Sequence, residues 1–436
     1  MKNVDQSLKY KLRLMLAHRD VLRSRVPFIT KRYIEDFRKS QLAAAQRLRD
    51  KDCIDVAFFL TIPGMWKSDY LFEAMQKSPH YHPYVVIYPY SQYKGFGKEE
   101  VEGTIKRTEE FVKGRGFEYV IPYNADRCRW VDIKKSLNPD IVFFSSPYKD
   151  HLPQYFIYHF RDRLTCYIPY GFTNFSFMYE NNYNLLFHNL VGCYFLESNI
   201  HKKLFSEHSR CRGVNGVVTG YPGIEVFLRD DYRPHDVWKP QTVAKKRIIW
   251  APHHSIEEGF ALSSFLLIYE DMLCLADKYI DTVQFVFKPH QLLKFKLQQL
   301  WGAQRVEEYY SAWNQRENTQ VEEYSYIDIF LTSDAMIHDS GSFTTDYLFT
   351  RKPVLFTVRS EDVRSRYSPF GEKMFDAHYH ARTVSDIDRF IQQVVLDGDD
   401  PMAQIRQQVY NRYLQPVEGR LPSTCIIHEI EKLINS

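Results

Sequence analysis

Long apolar runs are missing from this 436-residue chain: no stretch approaches the roughly 20 residues that cross a bilayer, and the N-terminus has no compact apolar core of the secretory kind. A cytoplasmic protein is therefore expected. The seven cysteines include no C-x-x-C pair, and several sit in apolar runs such as Val191 to Phe195, so reduced and mostly buried thiols are expected rather than a disulfide framework. Neither a phosphate-binding G-x-x-x-x-G-K loop nor an intact G-x-G-x-x-G occurs, which argues against an ordinary ATPase or dehydrogenase. No His-x-Glu-x-His-like cluster and no Asp-x-Asp after a strand offers a metal site, so no metal is expected; Asp399 and Asp400, before Pro401, read as a cap.

What is present is a globular composition, 44% hydrophobic and 25% charged, in a chain too long for one ordinary domain. Two α/β domains with an accessory segment are the natural reading. The net charge of +3 points to no nucleic-acid partner, but its distribution is uneven: residues 1–51 hold 14 Lys/Arg against 5 Asp/Glu, and the rest of the chain is net negative. In that basic segment Leu8, Leu12, Leu14, Met15, Val21 and Leu22 fall at roughly helical spacing. Such a segment suits an anionic membrane surface, and it equally suits a solvated helical hairpin packed on the first domain.

From Ile54 onward short apolar runs alternate with helical patterns. Strands are expected at Ile54 to Leu60, Tyr84 to Tyr88, Tyr119 to Ile121, Asp140 to Phe144, Leu164 to Ile168, Val191 to Leu196 and Gly216 to Thr219. Gly220-Tyr221-Pro222-Gly223 then punctuates the chain, and a second series follows: Arg247 to Trp250, a helix from Ser263 to Tyr279, Val283 to Phe287, a helical stretch from Leu292 to Arg316, a short helix opened by Asp328, Ala335 to Ile337 and Pro353 to Phe356. Beyond Ser385 the pattern is helical. Strands separated by helices imply parallel sheets covered on both faces. The expected domains are a basic helical extension (1–51), an N-terminal Rossmann-like acceptor domain (52–222), a C-terminal Rossmann-like nucleotide-donor domain (223–400) and helices returning across the cleft between them (401–436).

Open parallel sheets bind ligands outside the carboxyl ends of their strands. In the second half those ends carry Ala251-Pro252-His253-His254-Ser255, Lys288-Pro289-His290 and His338-Asp339-Ser340-Gly341-Ser342. The last runs through Phe343 and Thr344 to Asp346 as a turn feeding a helix, where free N–H groups, small residues and the hydroxyls of Ser340, Ser342 and Thr344 favour a diphosphate; an ordinary N-cap by Ser340 or Ser342 reads equally well from this turn alone. His290 aims an imidazole at the same place. Asp346 is expected to hold neighbouring Ser or His side chains. In the first half, Trp66 and Lys67 follow the first strand, and Asp69 either accepts a proton or serves as a helix-start charge. Asp150 and His151 follow another strand.

The run Ser333-Asp334-Ala335-Met336-Ile337-His338-Asp339-Ser340-Gly341-Ser342, with Asp346-Tyr347 and Lys352-Pro353-Val354-Leu355-Phe356 behind it, resembles the S-D-x-x-I-T-D-Y-S-S, D-Y and K-P-I-x-F pattern of the CDP-glycerol glycerophosphotransferases, the teichoic-acid polymerases and their capsule and O-antigen relatives. Lys288-Pro289-His290 is similar to their R/K-x-H-P segment, Ala251-Pro252 to their A-P strand end, and Gly220-Tyr221-Pro222 to their G-Y-P hinge.

The resemblance implies a GT-B fold, two Rossmann-like domains facing a cleft, and a donor such as CDP-glycerol or a related CDP-polyol. A glycan or polyol-phosphate acceptor, either free or lipid-linked, would attack the phosphorus that carries the polyol, and CMP would leave. His290 and the Ser340 to Ser342 turn would hold the diphosphate, with His253, His254, Lys288, His338, Asp339, Gly341, Thr344 and Asp346 around it, and no metal would be required. The chain departs from the family at Ile168-Pro169-Tyr170-Gly171-Phe172, where relatives carry W-H-G-T with a histidine base, and at residue 340, serine in place of tyrosine. Tyr170 and Gly171 thus join Trp66 and Lys67 on the acceptor side, and the base is unassigned. The missing apolar span keeps the expected location cytoplasmic, and the basic segment, if it is an anchor rather than a packed hairpin, makes the chain peripheral on the inner face of the cell membrane. An inverting glycosyltransferase using a nucleotide sugar, and a non-catalytic nucleotide-binding module of a polysaccharide-assembly complex, are the alternatives on the same fold.

Overall fold

A computed structural model describes residues 27–89, 98–124, 126, 129–148, 152–257, 262–323 and 326–436. They form two compact units. The first takes the described parts of Met1–Gly171, together with Met178–Glu225 and Pro416–Ser436, and the second takes Phe172–Phe177 and the described parts of Val226–Gln415.

The first unit is built on β1 (Ile54–Leu60), β2 (Tyr81–Ile87), β3 (Tyr119–Val120), β6 (Ile141–Phe144), β7 (Leu164–Tyr167), β8 (Cys193–Leu196) and β9 (Gly216–Val218), with a small antiparallel pair, β4 (Tyr123–Asn124) and β5 (Arg129–Trp130), beside it. The strands run in the order β3-β2-β1-β6-β7-β8-β9, every pairing parallel. In β1 every residue except Asp55 is buried, because both faces of the sheet are covered. Successive side chains serve opposite cores: Val56, Phe58 and Leu60 pack in one, Ala57 and Phe59 in the other.

The helix Pro27–Gln46 packs Ile34 and Phe37 into the core of this unit and is tied to the sheet by the buried Gln41 side chain. Gln41 Nε2 donates to the carbonyls of Phe160 and Arg161, and its Oε1 accepts from Thr165 N–H (2.8 Å) and the Thr165 hydroxyl (2.9 Å). This part of the basic segment is packed, while Leu8, Leu12, Leu14, Met15, Val21 and Leu22 lie outside the described residues. The helix Pro422–Asn435 also belongs to the first unit, where the buried Glu225 carboxylate accepts from Ser423 N–H and its hydroxyl, both at 2.7 Å.

The second unit orders its strands β12 (Thr319–Val321), β11 (Val283–Phe287), β10 (Lys246–Ala251), β13 (Ala335–His338), β14 (Val354–Thr357) and β15 (Tyr379–Ala381), again all parallel. Strand order reverses between β10 and β13, the arrangement of a doubly wound Rossmann sheet. Its core is aromatic: Trp250 on β10 stacks against Phe265 (5.7 Å between centroids) and Phe287 (5.0 Å) and packs at a tilt against Trp313 (5.3 Å).

Several elements differ from expectation. The stretch 292–316 is two helices, Leu293–Trp301 and Ala303–Gln315, broken at Gly302, whose φ of +82° only glycine adopts readily. Strand β2 starts at Tyr81 and takes in Pro83, tolerated because β3 pairs only with Val85 and Val86. Strands β12 and β15, three residues each, were too short to register as apolar runs. Among the cysteines, Cys166, Cys193, Cys211 and Cys425 are buried thiols as expected, but Cys53 and Cys274 are exposed, and Cys128 lies outside the described residues. No helix of the described residues is long and apolar enough to cross a membrane.

Candidate functional site

In the second unit the carboxyl ends of β10, β11 and β13 meet where the strand order reverses, the position at which open α/β sheets bind their ligands. Backbone pairing continues past the strands: Lys288 N–H donates to the Trp250 carbonyl (2.7 Å) and His290 N–H to the Pro252 carbonyl (3.1 Å). That register sets three imidazoles side by side. Ring centroids lie 4.2 Å apart for His253 and His254, 4.2 Å for His254 and His290, and 5.1 Å for His253 and His290.

Local backbone fixes the tautomers of two of them. Ser255 N–H points at His253 Nδ1 (3.2 Å), and Leu292 N–H at His290 Nδ1 (3.1 Å). A backbone N–H can only donate, so each Nδ1 is the bare nitrogen and the proton of the neutral ring sits on Nε2. Burial, chiefly, keeps all three rings neutral: His253 is held well below its ordinary value by burial, His254, His290 and Lys296; His254 is lowered by burial and Lys296; His290 is lowered to about 3 by burial, His254, Lys288 and Lys296.

One nitrogen from each ring lies within 4.8 Å of the others, the one grouping among the described residues with metal-ligand spacing. A cation needs bare lone pairs, and those of His253 and His290 are already engaged at Nδ1. What these two rings have to offer is a pair of N–H donors, the complement of an oxyanion.

Asp339, fully buried at the end of β13, ties this corner together. Its carboxylate accepts from His253 N–H, from Ser264 N–H (2.7 Å) and from the Ser264 hydroxyl (3.0 Å). Burial raises its carboxyl to about 6, and the bonds from His253 and Ser264 oppose that rise. Lys288 is 5% exposed, and burial lowers its ammonium to about 8 against the pull of Glu322 and Glu323. His338 is an interior residue: Ser340 N–H donates to its Nδ1 (3.1 Å), its ring packs edge-on against Phe356, and burial lowers it to about 3.

The Ser340 to Ser342 turn is covered from one side by the segment Phe172–Phe177. Asn174 Nδ2 donates to the Gly341 carbonyl (2.8 Å), and a Cβ on Gly341 would fall 2.4 Å from the Phe175 ring. The Thr344 hydroxyl donates to the Ser340 carbonyl (3.0 Å) and Thr345 donates to Asn174 Oδ1 (2.8 Å). Ser340 and Asp346 are buried, and Ser342 is exposed. Asn174 escaped the sequence reading because it lies far along the chain from the turn that it braces.

In the first unit, Trp66 and Lys67 line a shallow surface depression with Phe59, Phe144, Ser145 and Ile168, at the carboxyl ends of β1 and β6, where that sheet reverses. Asp69 is occupied: its Oδ1 accepts from Trp66 Nε1 (2.9 Å) and from Arg115 Nε (2.8 Å), so it positions the indole. Tyr170 is exposed with its hydroxyl 3.3 Å from that of Tyr148, and Gly171 follows it with open space where a Cβ would be. Asp150 and His151 lie outside the described residues. One residue was missed. Glu197, directly after β8, is 6% exposed and both carboxyl oxygens lack a hydrogen-bond partner in any other residue. Its signal in the sequence is its position, the first residue past an apolar strand run.

The family of CDP-glycerol:poly(glycerophosphate) glycerophosphotransferases matches residues 183–426. No curated protein sequence matches the chain. Among solved structures, a variant of the wall teichoic acid polymerase TagF aligns with a TM-score of 0.57 at 14% identity, over 96% of this chain and 98% of that one. The UDP complex of MnaA from S. aureus aligns with a TM-score of 0.55 at 15% identity, over 88% of this chain and 97% of that one. A UDP-GlcNAc 2-epimerase from Neisseria meningitidis, bound to UDP-GlcNAc, gives 0.52 at 15% identity, over 87% and 100%. At such identities these likenesses show the fold alone, the GT-B type with two Rossmann-like domains. The family match spans more than half of the sequence and includes every strand-end motif from His253 to Asp346. The chain is a transferase and belongs to the CDP-glycerol:poly(glycerophosphate) glycerophosphotransferase family.

Proposed function

We propose that the protein moves a phosphopolyol, glycerol phosphate in the first instance, from a CDP-linked donor to a hydroxyl of a glycan or polyol-phosphate acceptor in surface-polysaccharide synthesis, with release of CMP. The observation that supports this reading is the pair of neutral imidazoles, His253 and His290, each obliged by a backbone N–H to carry its proton on Nε2. They stand with His254 and Lys288 at the strand-order reversal, where a diphosphate is the ligand that needs donors. In the transfer, an acceptor oxygen bonds to the phosphorus bearing the polyol, the bond from that phosphorus to the CMP oxygen breaks, and charge gathers on CMP. Donors fixed before the reaction stabilise that charge without reorganising, a task a divalent cation performs elsewhere. No metal is invoked. Asp339 holds the His253 loop in place, and the Ser340 to Ser342 turn supports the same corner. The first unit takes the acceptor, with Trp66 and Lys67 in its depression. A lipid-linked acceptor and a basic N-terminal segment on an anionic inner membrane face complete the reading.

A thermal-shift panel tests it. A ligand at 100 times its Kd stabilises the folded state by about 2.7 kcal/mol, several degrees in melting midpoint for units of this size. CDP-glycerol, CDP-ribitol or CMP should produce that shift. A response to UDP or GDP sugars with none to cytidine compounds would reject the donor in favour of a nucleotide-sugar glycosyltransferase, and cytidine binding without CMP release would leave a binding module.

A further inference from the structure

The first unit contains a buried acid that no other residue hydrogen-bonds. Within two residues of the carboxyl ends of β1, β2, β3, β6, β7, β8 and β9 stand Thr61, Tyr88, Ser145, Ser146, Glu197, Ser198 and Thr219 among other residues, and Glu197 is the one carboxylate, imidazole or amine in the set. Asp69, a few residues further on, is already committed to Trp66 and Arg115. Glu197 is 6% exposed, and neither Oε1 nor Oε2 receives a hydrogen bond from another residue. A buried carboxyl left in this state costs free energy unless a ligand supplies the missing donor. It follows β8 and precedes Ser198, which caps the helix Asn199–His208.

We propose that Glu197 is the catalytic residue that receives the acceptor's hydroxyl and takes its proton. This rests on the phosphopolyol-transfer reading above. The step balances: the acceptor O–H proton passes to Glu197, the oxygen's electron pair forms the new bond to phosphorus, the pair of the broken P–O bond leaves with CMP, and the protonated carboxyl later returns its proton to solvent. The ligand implied is a neutral polyol or sugar hydroxyl, because a phosphate at an unpaired carboxylate would be repelled. The titratable groups around Glu197 are Tyr167 on β7 and Tyr194 on β8, with Tyr148 and Tyr170 beyond Tyr167, and His188 packed on the rings of Tyr167 and Tyr194. None is cationic at neutral pH, and burial lifts the carboxyl to about 8 against the opposing pull of its own backbone N–H. A base in that range transfers protons efficiently near physiological pH.

The test is CMP release from CDP-glycerol with a polyol-phosphate acceptor, for wild type and Glu197→Gln, alongside CDP affinity and melting midpoint. The expected result is a loss of about 100- to 10,000-fold in transfer with unchanged CDP affinity and midpoint. Partial activity should return in Glu197→Asp. Transfer by Glu197→Gln within threefold of wild type overturns the inference alone, whereas a wild type that never releases CMP overturns the donor reading and this inference with it. Should Glu197→Gln fail to fold, the wild-type pH profile decides. A rate that rises about tenfold per unit up to roughly pH 8 supports the assignment, and a flat rate from pH 6 to 9 overturns it.

Discussion

Replacing His290 with alanine separates phosphate recognition from every other part of nucleotide binding. The side chain contributes little to the fold: its ring is partly exposed, and its one hydrogen bond within the protein is the local one from Leu292 N–H. What it contributes to a donor is an Nε2–H facing a charged oxygen, and such hydrogen bonds are worth about 1.5–3 kcal/mol. The Kd for CDP should therefore rise roughly 10- to 150-fold in His290→Ala, whereas cytidine, which has no phosphate, should bind both proteins alike. Isothermal titration at pH 7.5 measures both. The free ring is held down to about 3, so it is neutral in the unliganded protein over the working range. A bound diphosphate raises that value, so between pH 3 and the raised value the complex holds more protons than its separated parts. Affinity should consequently increase as the pH falls through that window, with proton uptake visible as a dependence of the measured enthalpy on buffer ionisation heat. Capture of a metal by the same neutral rings would take up no proton. An unchanged CDP affinity in a folded His290→Ala protein, or proton release on CDP binding, refutes the placement of the diphosphate.

Three further outcomes follow from the packing. Trp250 is buried against three aromatic rings, and Trp250→Ala should cost about 3–5 kcal/mol, seen as a lower denaturant midpoint of the second unit; a loss below 1 kcal/mol would contradict the core described. Gly341→Ala drives a methyl to 2.4 Å from Phe175, an overpacking of about 1–3 kcal/mol that Phe175→Leu should relieve in the double variant. Additive losses would mean that the ring is not the obstacle. His188 is fully buried, both ring nitrogens are unpartnered, and burial holds it near 3 against 6.5 when exposed. Between those values the unfolded chain binds a proton that the folded chain refuses, so stability is lost as pH drops from 6.5 toward 3, at about 1.4 kcal/mol per unit for this one group. His188→Phe should flatten the acid limb of urea stability measured at pH 7 and pH 5; an unchanged slope would place the lost protons elsewhere.

The parts legible in the sequence are those carried by apolar runs and by what directly follows them. Ile54 to Leu60 and Val283 to Phe287 are buried on both faces, so they read as unbroken hydrophobic words, and the histidines after Trp250 and Phe287 fall at strand ends simply because those runs stop there. Short strands such as Thr319–Val321 leave no such trace. Gly302 falls inside the expected helical stretch from Leu292 to Arg316, and only its positive φ shows it to be a break. The tautomers of His253 and His290 depend on amides two residues downstream, a geometric fact with no counterpart in composition. Asn174 and Glu197 went unnoticed for opposite reasons. Asn174 acts on Gly341 across 167 positions of chain, whereas Glu197 sits in plain view after an apolar run and looks like an ordinary surface acid until its burial is known.

The return of Pro416–Ser436 to the first unit has a consequence for biosynthesis. Ile426, Ile430 and Ile434 fill the same core as Val56 and Phe58, although more than 360 residues separate them along the chain. While the ribosome is still working, the earlier of the two sheets emerges first but stays uncapped, and the later one, whose strands need nothing beyond Gln415, can close before it. The usual order of vectorial folding is thereby inverted, and a nascent chain stalled after Gln415 would expose the apolar groove meant for the helix Pro422–Asn435 to chaperones and proteases.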